Sequence, residues 1–298
     1  MAAHHRRSVG SLLFDSVNGA LLIVLCVTML YPLYYVLVAS LSDGYRLMAH
    51  TGPLVGPLGF SGAAYRLVFN NPMILRGFLN TIHLVAVGTA VNLLLTSFAA
   101  YVLSRKNLYW KPVIMVMAVV TLLFERGLVP FYLTVRSLGL LNSHWSVILS
   151  FAISAYNLII MRTYFMTIPD SLEESARIDG AHDFSVLFRI ILPVAAPVVA
   201  TMVLFYGVGR WNGYFYVMIF LRDRIKYPIS LILREILIAN SADTMLAGGD
   251  VGSMGDHENI ADTIKFATTM VATAPILLLY PFLQKYFVKG AMIGSVKG

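Results

Sequence analysis

Charge is scarce in this chain: Asp, Glu, Lys and Arg together fill 12% of 298 positions, against 58% hydrophobic residues. That shortage excludes an ordinary soluble domain, in which about a quarter of the residues are charged. Cysteine is scarcer still. The single Cys26 lies in an apolar run, which leaves no disulfide framework and no cysteine-based metal site. The sequence also lacks a Gly-x-x-x-x-Gly-Lys-Ser/Thr phosphate loop, a His-Glu-x-x-His zinc motif and a Gly-x-Ser-x-Gly nucleophile turn. No catalytic residue, metal site or cofactor is therefore expected on the chain, and it should not hydrolyse ATP itself. The formal net charge is +7, but the basic residues are spread over loops between apolar runs. They form no stripe interleaved with aromatics, so nucleic acid is excluded as a partner.

What the chain does have is apolar runs long enough to cross about 30 Å of hydrocarbon, at about 20 residues each. They are read at about 17–41, 79–103, 112–135, 145–166, 194–221 and 264–287. The fold class is all-α, a polytopic membrane helix bundle in lipid with about six transmembrane helices and no soluble domain. Arg6 and Arg7 precede the first run, and Arg105, Lys106 and Lys111 follow the second. By the positive-inside tendency both lie in the cytoplasm, which places both termini there too. The expected division is a cytoplasmic tail over 1–16, a membrane domain over 17–288 and a cytoplasmic tail over 289–298. Asn70-Asn71-Pro72 marks a turn in the first outer loop, where a short helix is predicted over 62–68. The third run is broken by Glu125-Arg126-Gly127 and Pro130, and a second outer turn falls at 139–143. In the second long outer loop, the acidic stretch Gly248 to Glu258 lacks the order of an EF-hand and reads as flexible.

The densest charged block, Pro169 to Pro193, then falls on the cytoplasmic side. Asp170 or Ser171 can cap a helix, with Glu173 or Glu174 completing a capping box in an electropositive first turn. Gly180 can take the left-handed conformation that ends a helix, and Asp183 can cap a second helix over 184–192. The result is a rigid elbow with small residues on its first arm. The spacing Glu174-Ser175-Ala176-x-x-x-Gly180, followed by Ile190-x-Leu192-Pro193, resembles the EAA motif of the membrane permeases of binding-protein-dependent ABC importers. Ser175 stands where alanine is usual, a small-for-small change.

The resemblance covers most of the chain from about 77 to 285 and implies that Glu173, Glu174, Ser175, Ala176, Asp179, Gly180 and Ala181 form the coupling helix gripped by a cytoplasmic ATPase. It further implies a second permease subunit, as a heterodimer, two ATPase subunits that use ATP and Mg, and an external substrate-binding protein. The location implied is the bacterial inner membrane. Trp211-Asn212 resembles a pair found in the sugar-type permeases, implying a carbohydrate substrate. The runs from Phe124 to Gly139 and from Leu158 to Arg162 are similar to permeases for large saccharides such as alginate.

Four residues are candidates for the translocation pathway: Arg126, Arg210, Trp211 and Asn212. Ionisable and strongly polar side chains within a span usually face a cavity or the bundle interior. The competing readings are an interfacial position for Glu125 and Arg126, and an aromatic belt with a Gly209-x-x-x-Gly213 packing seam for the 207–216 stretch. Asn92, Tyr156 and Asn157 are polar members of other spans, for which interhelical hydrogen bonding is the simpler role. A different class, an ion- or proton-coupled secondary transporter with Glu125 as its coupling site, is the alternative function.

Overall fold

A computed structural model describes residues 9–106, 108–124, 126–238, 263–279 and 281. Among these the ordered elements are helices: α1 (Val9–Ser40), α2 (Gly44–Ala49), α3 (Ala63–Asn70), α4 (Pro72–Ser104), α5 (Lys111–Leu123), α6 (Leu128–Ser137), α7 (His144–Ser150), α8 (Ala155–Phe165), α9 (Asp170–Ile178), α10 (Asp183–Val186), α11 (Leu192–Val194), α12 (Ala196–Asn212), α13 (Phe215–Phe220) and α14 (Ile229–Ile238). A last apolar helix, α15, covers Thr263–Leu279. Between α10 and α11 the chain makes a π-helical turn, Leu187–Ile191.

Among the described residues two helices, α1 and α4, are long and apolar enough to cross a membrane unbroken, and three bent pairs, α5 with α6, α7 with α8, and Asp183–Val194 with α12, reach that length together. Counting each pair once gives up to five passes among these residues, and the apolar α15, with 17 residues, is at the short end of the spanning range.

The structure corrects several expected boundaries. The first helix already includes Val9, the first described residue, and so extends ahead of the predicted span start at 17. The second begins at Pro72 rather than 79; proline suits a first helical turn, where its missing N–H is not needed. The predicted 62–68 helix is α3, while α2 in the same loop was not foreseen; Asp43 caps it by accepting from the Arg46 N–H. The run at 145–166 is two helices bent by 50° instead of one straight span. The fifth pass turns by 86° at Ala195, ends at Asn212 rather than 221, and is followed by the separate α13. The interruption between α5 and α6 and the turn at Gly139, whose φ is +68°, lie where the sequence placed them, but Pro130 does not break the helix: it sits in the first turn of α6, which resumes at Leu128, where a missing N–H costs nothing. Glu125, the stretch 248–258 and the tail 289–298 lie outside the described residues.

The chain divides into two compact units. The first contains residues 1–71 and 236–271, of which 9–71, 236–238 and 263–271 are described. Its small core is Val38, Ala39, Leu47 and Leu54, with Tyr35 and Phe266 packed against it. The loop between α1 and α3 is tied down by backbone contacts: Tyr31 Oη accepts from Leu54 N (3.1 Å), Tyr34 Oη donates to Val55 O (2.6 Å), and Ser42 Oγ accepts from Leu58 N (3.1 Å).

The second unit, residues 72–235 and 272–298, holds the sites discussed below. Its axis is α4, about 50 Å long at 1.5 Å per residue. Ile74, Gly77, Thr81, Leu84, Gly88 and Asn92 recur at three- and four-residue intervals and are all buried on one face. Half of them, Gly77, Thr81 and Gly88, are small, which lets neighbouring backbones approach closely, the usual basis of helix association in lipid. Thr81 Oγ1 accepts from Ile229 N (2.9 Å), and a Cβ on Gly77 would lie 2.5 Å from Ile232. At the other end of α4 a larger core gathers Ala100, Tyr101, Leu103, Leu158, Met161, Phe165, Val186, Leu187, Ile191 and Met202.

Candidate functional site: the elbow and the broken passes

The elbow is built from α9, a glycine turn and the α10–α11 segment. Its first helix starts without a side-chain cap: Pro169 occupies the cap position and Asp170 is the first helical residue. The expected cap by Asp170 or Ser171 therefore does not form. Asp170 instead takes a 2.6 Å bond from Lys106 Nζ in the loop after α4, and that bond holds its carboxyl below the ordinary aspartate value. The helix ends as the sequence predicts. Gly180 has φ +81°, Gly180 N donates to Arg177 O (3.1 Å) and Ala181 N to Ala176 O (2.9 Å), the paired bonds of a Schellman turn. The second arm starts at Asp183 rather than 184, with His182 in the cap position and no side-chain cap bond; Asp183 spends its carboxylate on Arg177 Nη2 at 2.6 Å.

The two adjacent glutamates part company. Glu173 is 6% exposed and does not close a capping box. One of its oxygens is paired with Arg105 Nη1, and the other accepts from Tyr101 Oη (3.1 Å) and Arg177 Nη2 (2.9 Å). Arg105 also lies over the Tyr101 ring at 4.5 Å, and its burial draws its guanidinium below the usual value, although arginine stays charged at any physiological pH. Ala176, one turn on from Glu173, is buried against the core at the end of α4. Glu174, Ser175, Asp179 and Gly180 are exposed, Ala181 half-buried, and the apolar Ile178 is 86% exposed. One face of the elbow is thus bolted to the membrane helices, while the other offers two carboxylates beside an uncovered isoleucine.

Sequence reasoning missed the bolt. Arg105 and Lys106 read only as orientation signals, and Tyr101 as part of an apolar run. The available clue was spacing: Glu173 shares a helix face with Ala176, so if the small residue is buried the glutamate is buried with it and requires a cation.

The second region of interest is the break between α7 and α8. Freed backbone groups inside a membrane must find partners within the protein, and here they do. Asn92 Nδ2 donates to Phe151 O (2.5 Å) and Ala152 O (2.7 Å). Arg210 donates to Val147 O (3.4 Å), Ile148 O (3.1 Å) and, through Nε, to Asn92 Oδ1 (2.8 Å). Arg126 reaches Ser150 O (3.3 Å), and Tyr206 Oη, bonded to Thr96 Oγ1, accepts from Ser154 N (3.2 Å).

Of the four pathway candidates, Arg126 and Asn212 are exposed and Arg210 and Trp211 half-buried. Arg126 sits 4.8 Å from the ring centroids of both Phe131 and Phe151. Trp211 Nε1 donates to Ala272 O (3.1 Å) and its ring meets Phe78. Asn92 is buried and engaged between helices, as read from sequence; Tyr156 is exposed and its ring meets Phe205. Gly209, which the competing reading put in a packing seam, has no neighbour within 4 Å of a built Cβ among the described residues, and the tight approach on this helix is made by Arg210 against Gly88.

The structure thus sets an acidic, glycine-turned elbow against apolar helices, and comparison with known proteins identifies the class of protein. Residues 92–292 match the family of binding-protein-dependent transport system inner membrane components, and the chain belongs to that family. It is similar to the polygalacturonan/rhamnogalacturonan transport system permease protein YtcP of Bacillus subtilis (strain 168), 42% identical and covering 96% of this chain and 99% of that one. It is also similar to the arabinooligosaccharides transport system permease protein AraQ of the same organism, 26% identical over 90% of this chain and 91% of that one. Among solved structures it matches a bacterial ABC transporter involved in the import of the acidic polysaccharide alginate, with TM-score 0.85, 30% identity, and coverage of 94% of this chain and 99% of that one. The chain is accordingly a permease subunit of an ABC importer in the inner membrane. It is not an enzyme: in this class ATP and Mg act through separate ATPase subunits, and a second permease and an external binding protein complete the assembly.

Proposed function

We propose that this chain forms, with a second and different permease subunit, the pathway for oligosaccharides of an acidic, uronate-containing polysaccharide, and that the 170–192 elbow couples the pathway to two cytoplasmic ATPases. Both termini and the elbow lie on the cytoplasmic side, the tails being about 1–16 and 289–298. The observation that carries the coupling half is the division of labour at the elbow: Glu173 is tied to Arg105 and Arg177, leaving Glu174, Asp179 and Ile178 on the free face. A lever must be rigid on the side that transmits and open on the side that is pushed.

The substrate half draws on the relatives. The protein that shares 42% identity is named for polygalacturonan and rhamnogalacturonan and the solved structure at 30% for the acidic polysaccharide alginate, whereas relatives named for arabino-oligosaccharides, lactose and melibiose share 26–27%. Arg126 supports the same reading, because an exposed guanidinium on an aromatic platform can meet a carboxylate and a sugar face together. Asn212 and Trp211 remain candidates to line the pathway beside it. Uptake of labelled tri-galacturonate into proteoliposomes containing the assembled importer and its binding protein tests this. ATP-dependent uptake is expected, and it should fall at least about tenfold on Arg126→Gln, a change in the range of one lost charge-assisted bond. Uptake of neutral arabino-oligosaccharides in preference would overturn the substrate assignment.

A further inference from the structure

We propose that Asn92 and Arg210 are positioning residues that lock the break between α7 and α8 and, through Arg210, make the outer end of α12 and the end of α7 move as one body. Asn92 lies twelve residues before the end of α4, about 18 Å along the helix axis, so the break sits near the middle of a roughly 30 Å hydrocarbon layer. Unpaired carbonyls there have no water to turn to. Asn92 holds two of them, those of Phe151 and Ala152, and Arg210 two more, those of Val147 and Ile148. The two side chains are joined to each other by the Nε to Oδ1 bond, so neither can leave without freeing the other.

Gly88 is the independent sign that this placement is built in. Glycine inside a helix weakens it relative to alanine, yet α4 carries one where any Cβ would fall 2.5 Å from Arg210 Nε and 2.6 Å from its Cζ. The position is kept empty for the guanidinium. With all three of its nitrogens committed within the protein, Arg210 is not the cation a substrate carboxylate meets, which leaves that role to the exposed Arg126. The mechanical half of the proposal rests on the elbow reading above. The elbow's second arm runs through Ala195 into α12, and Arg210, two residues before the end of α12, grips α7. A displacement of the elbow is thereby passed to the outer half of the fourth pass.

The test uses the assembled importer carrying Arg210→Gln, Gly88→Ala, Arg210→Lys or the Gly88→Ala/Arg210→Gln pair. The first readout is hydrogen exchange over 151–157, which needs no substrate. Exchange there should rise at least about tenfold in Arg210→Gln and in Gly88→Ala, with no further rise in the pair and a smaller one in Arg210→Lys. The second is tri-galacturonate moved per ATP hydrolysed, which should fall in the same order while the KM for the loaded binding protein stays within about twofold. Unchanged exchange in Gly88→Ala overturns the lock. Raised exchange with undiminished transport per ATP overturns the transmission. A raised KM confined to acidic saccharides, with exchange unchanged, would make Arg210 a substrate ligand instead. Should Arg210→Gln fail to assemble, Gly88→Ala and Arg210→Lys decide the question. If the wild-type importer does not carry tri-galacturonate, the substrate assignment fails while the exchange comparison still stands.

Discussion

At the scale of single residues, two neighbours of the same chemistry have opposite roles. Glu173→Ala leaves the half-buried Arg105 facing an empty buried position and should cost about 3–5 kcal/mol, read as a lower melting temperature of the purified subunit complex. Glu174→Ala removes an exposed carboxylate and should change stability by no more than about 0.5 kcal/mol, while weakening co-purification of the ATPase. The sequence motif named Glu174 and could not separate the two, because burial depends on what the helix is packed against. Asp170 adds a statement about pH. Its carboxyl is held below the ordinary value by Lys106, and that of Asp223 by Lys226 and Asn142. An acid with a depressed folded value stabilises above its unfolded value and loses that contribution only as pH falls through the folded one. Both contacts should therefore hold throughout about pH 5 to 8, and transport per ATP should be flat across that window, unlike the profile of a carrier that takes up a proton at Glu125.

At the scale of elements, the breaks decide how much was legible. The interruption at 124–127 was visible because a charged pair and a glycine cannot continue an apolar helix cheaply. The elbow turn was visible because Gly180 is followed by residues that can start a new helix. The break at 151–154 carries no such mark: Phe151, Ala152 and Ile153 are apolar, and the partners of its backbone, Asn92 on α4 for Phe151 and Ala152 and Tyr206 on α12 for Ser154, come from far away in sequence. The same holds for the 86° bend at Ala195, where an alanine flanked by Pro193 and Pro197 signals a disturbance without its angle. The Schellman turn also makes a prediction. Gly180→Val places a β-branched residue at φ +81° and should cost about 1–3 kcal/mol. The loss should appear as fewer ATP-coupled transport events, with the membrane-embedded helices still protected from exchange.

At the scale of the whole molecule, the sequence already carried the class of protein. Apolar runs, dispersed positive charge and one acidic elbow are consistent with one another and with the family the chain belongs to. What it could not carry is the way force would travel. In this account a push on the free face of α9 reaches α4 through Glu173 and Arg105, and reaches the fourth pass through α12 and Arg210. The most direct measurement replaces Ile178, 86% exposed on the elbow, with a photo-crosslinking amino acid in the full importer and identifies its partner by mass spectrometry. The account predicts a crosslink into an ATPase subunit; a crosslink to lipid or to the external binding protein, with none to an ATPase, would contradict it.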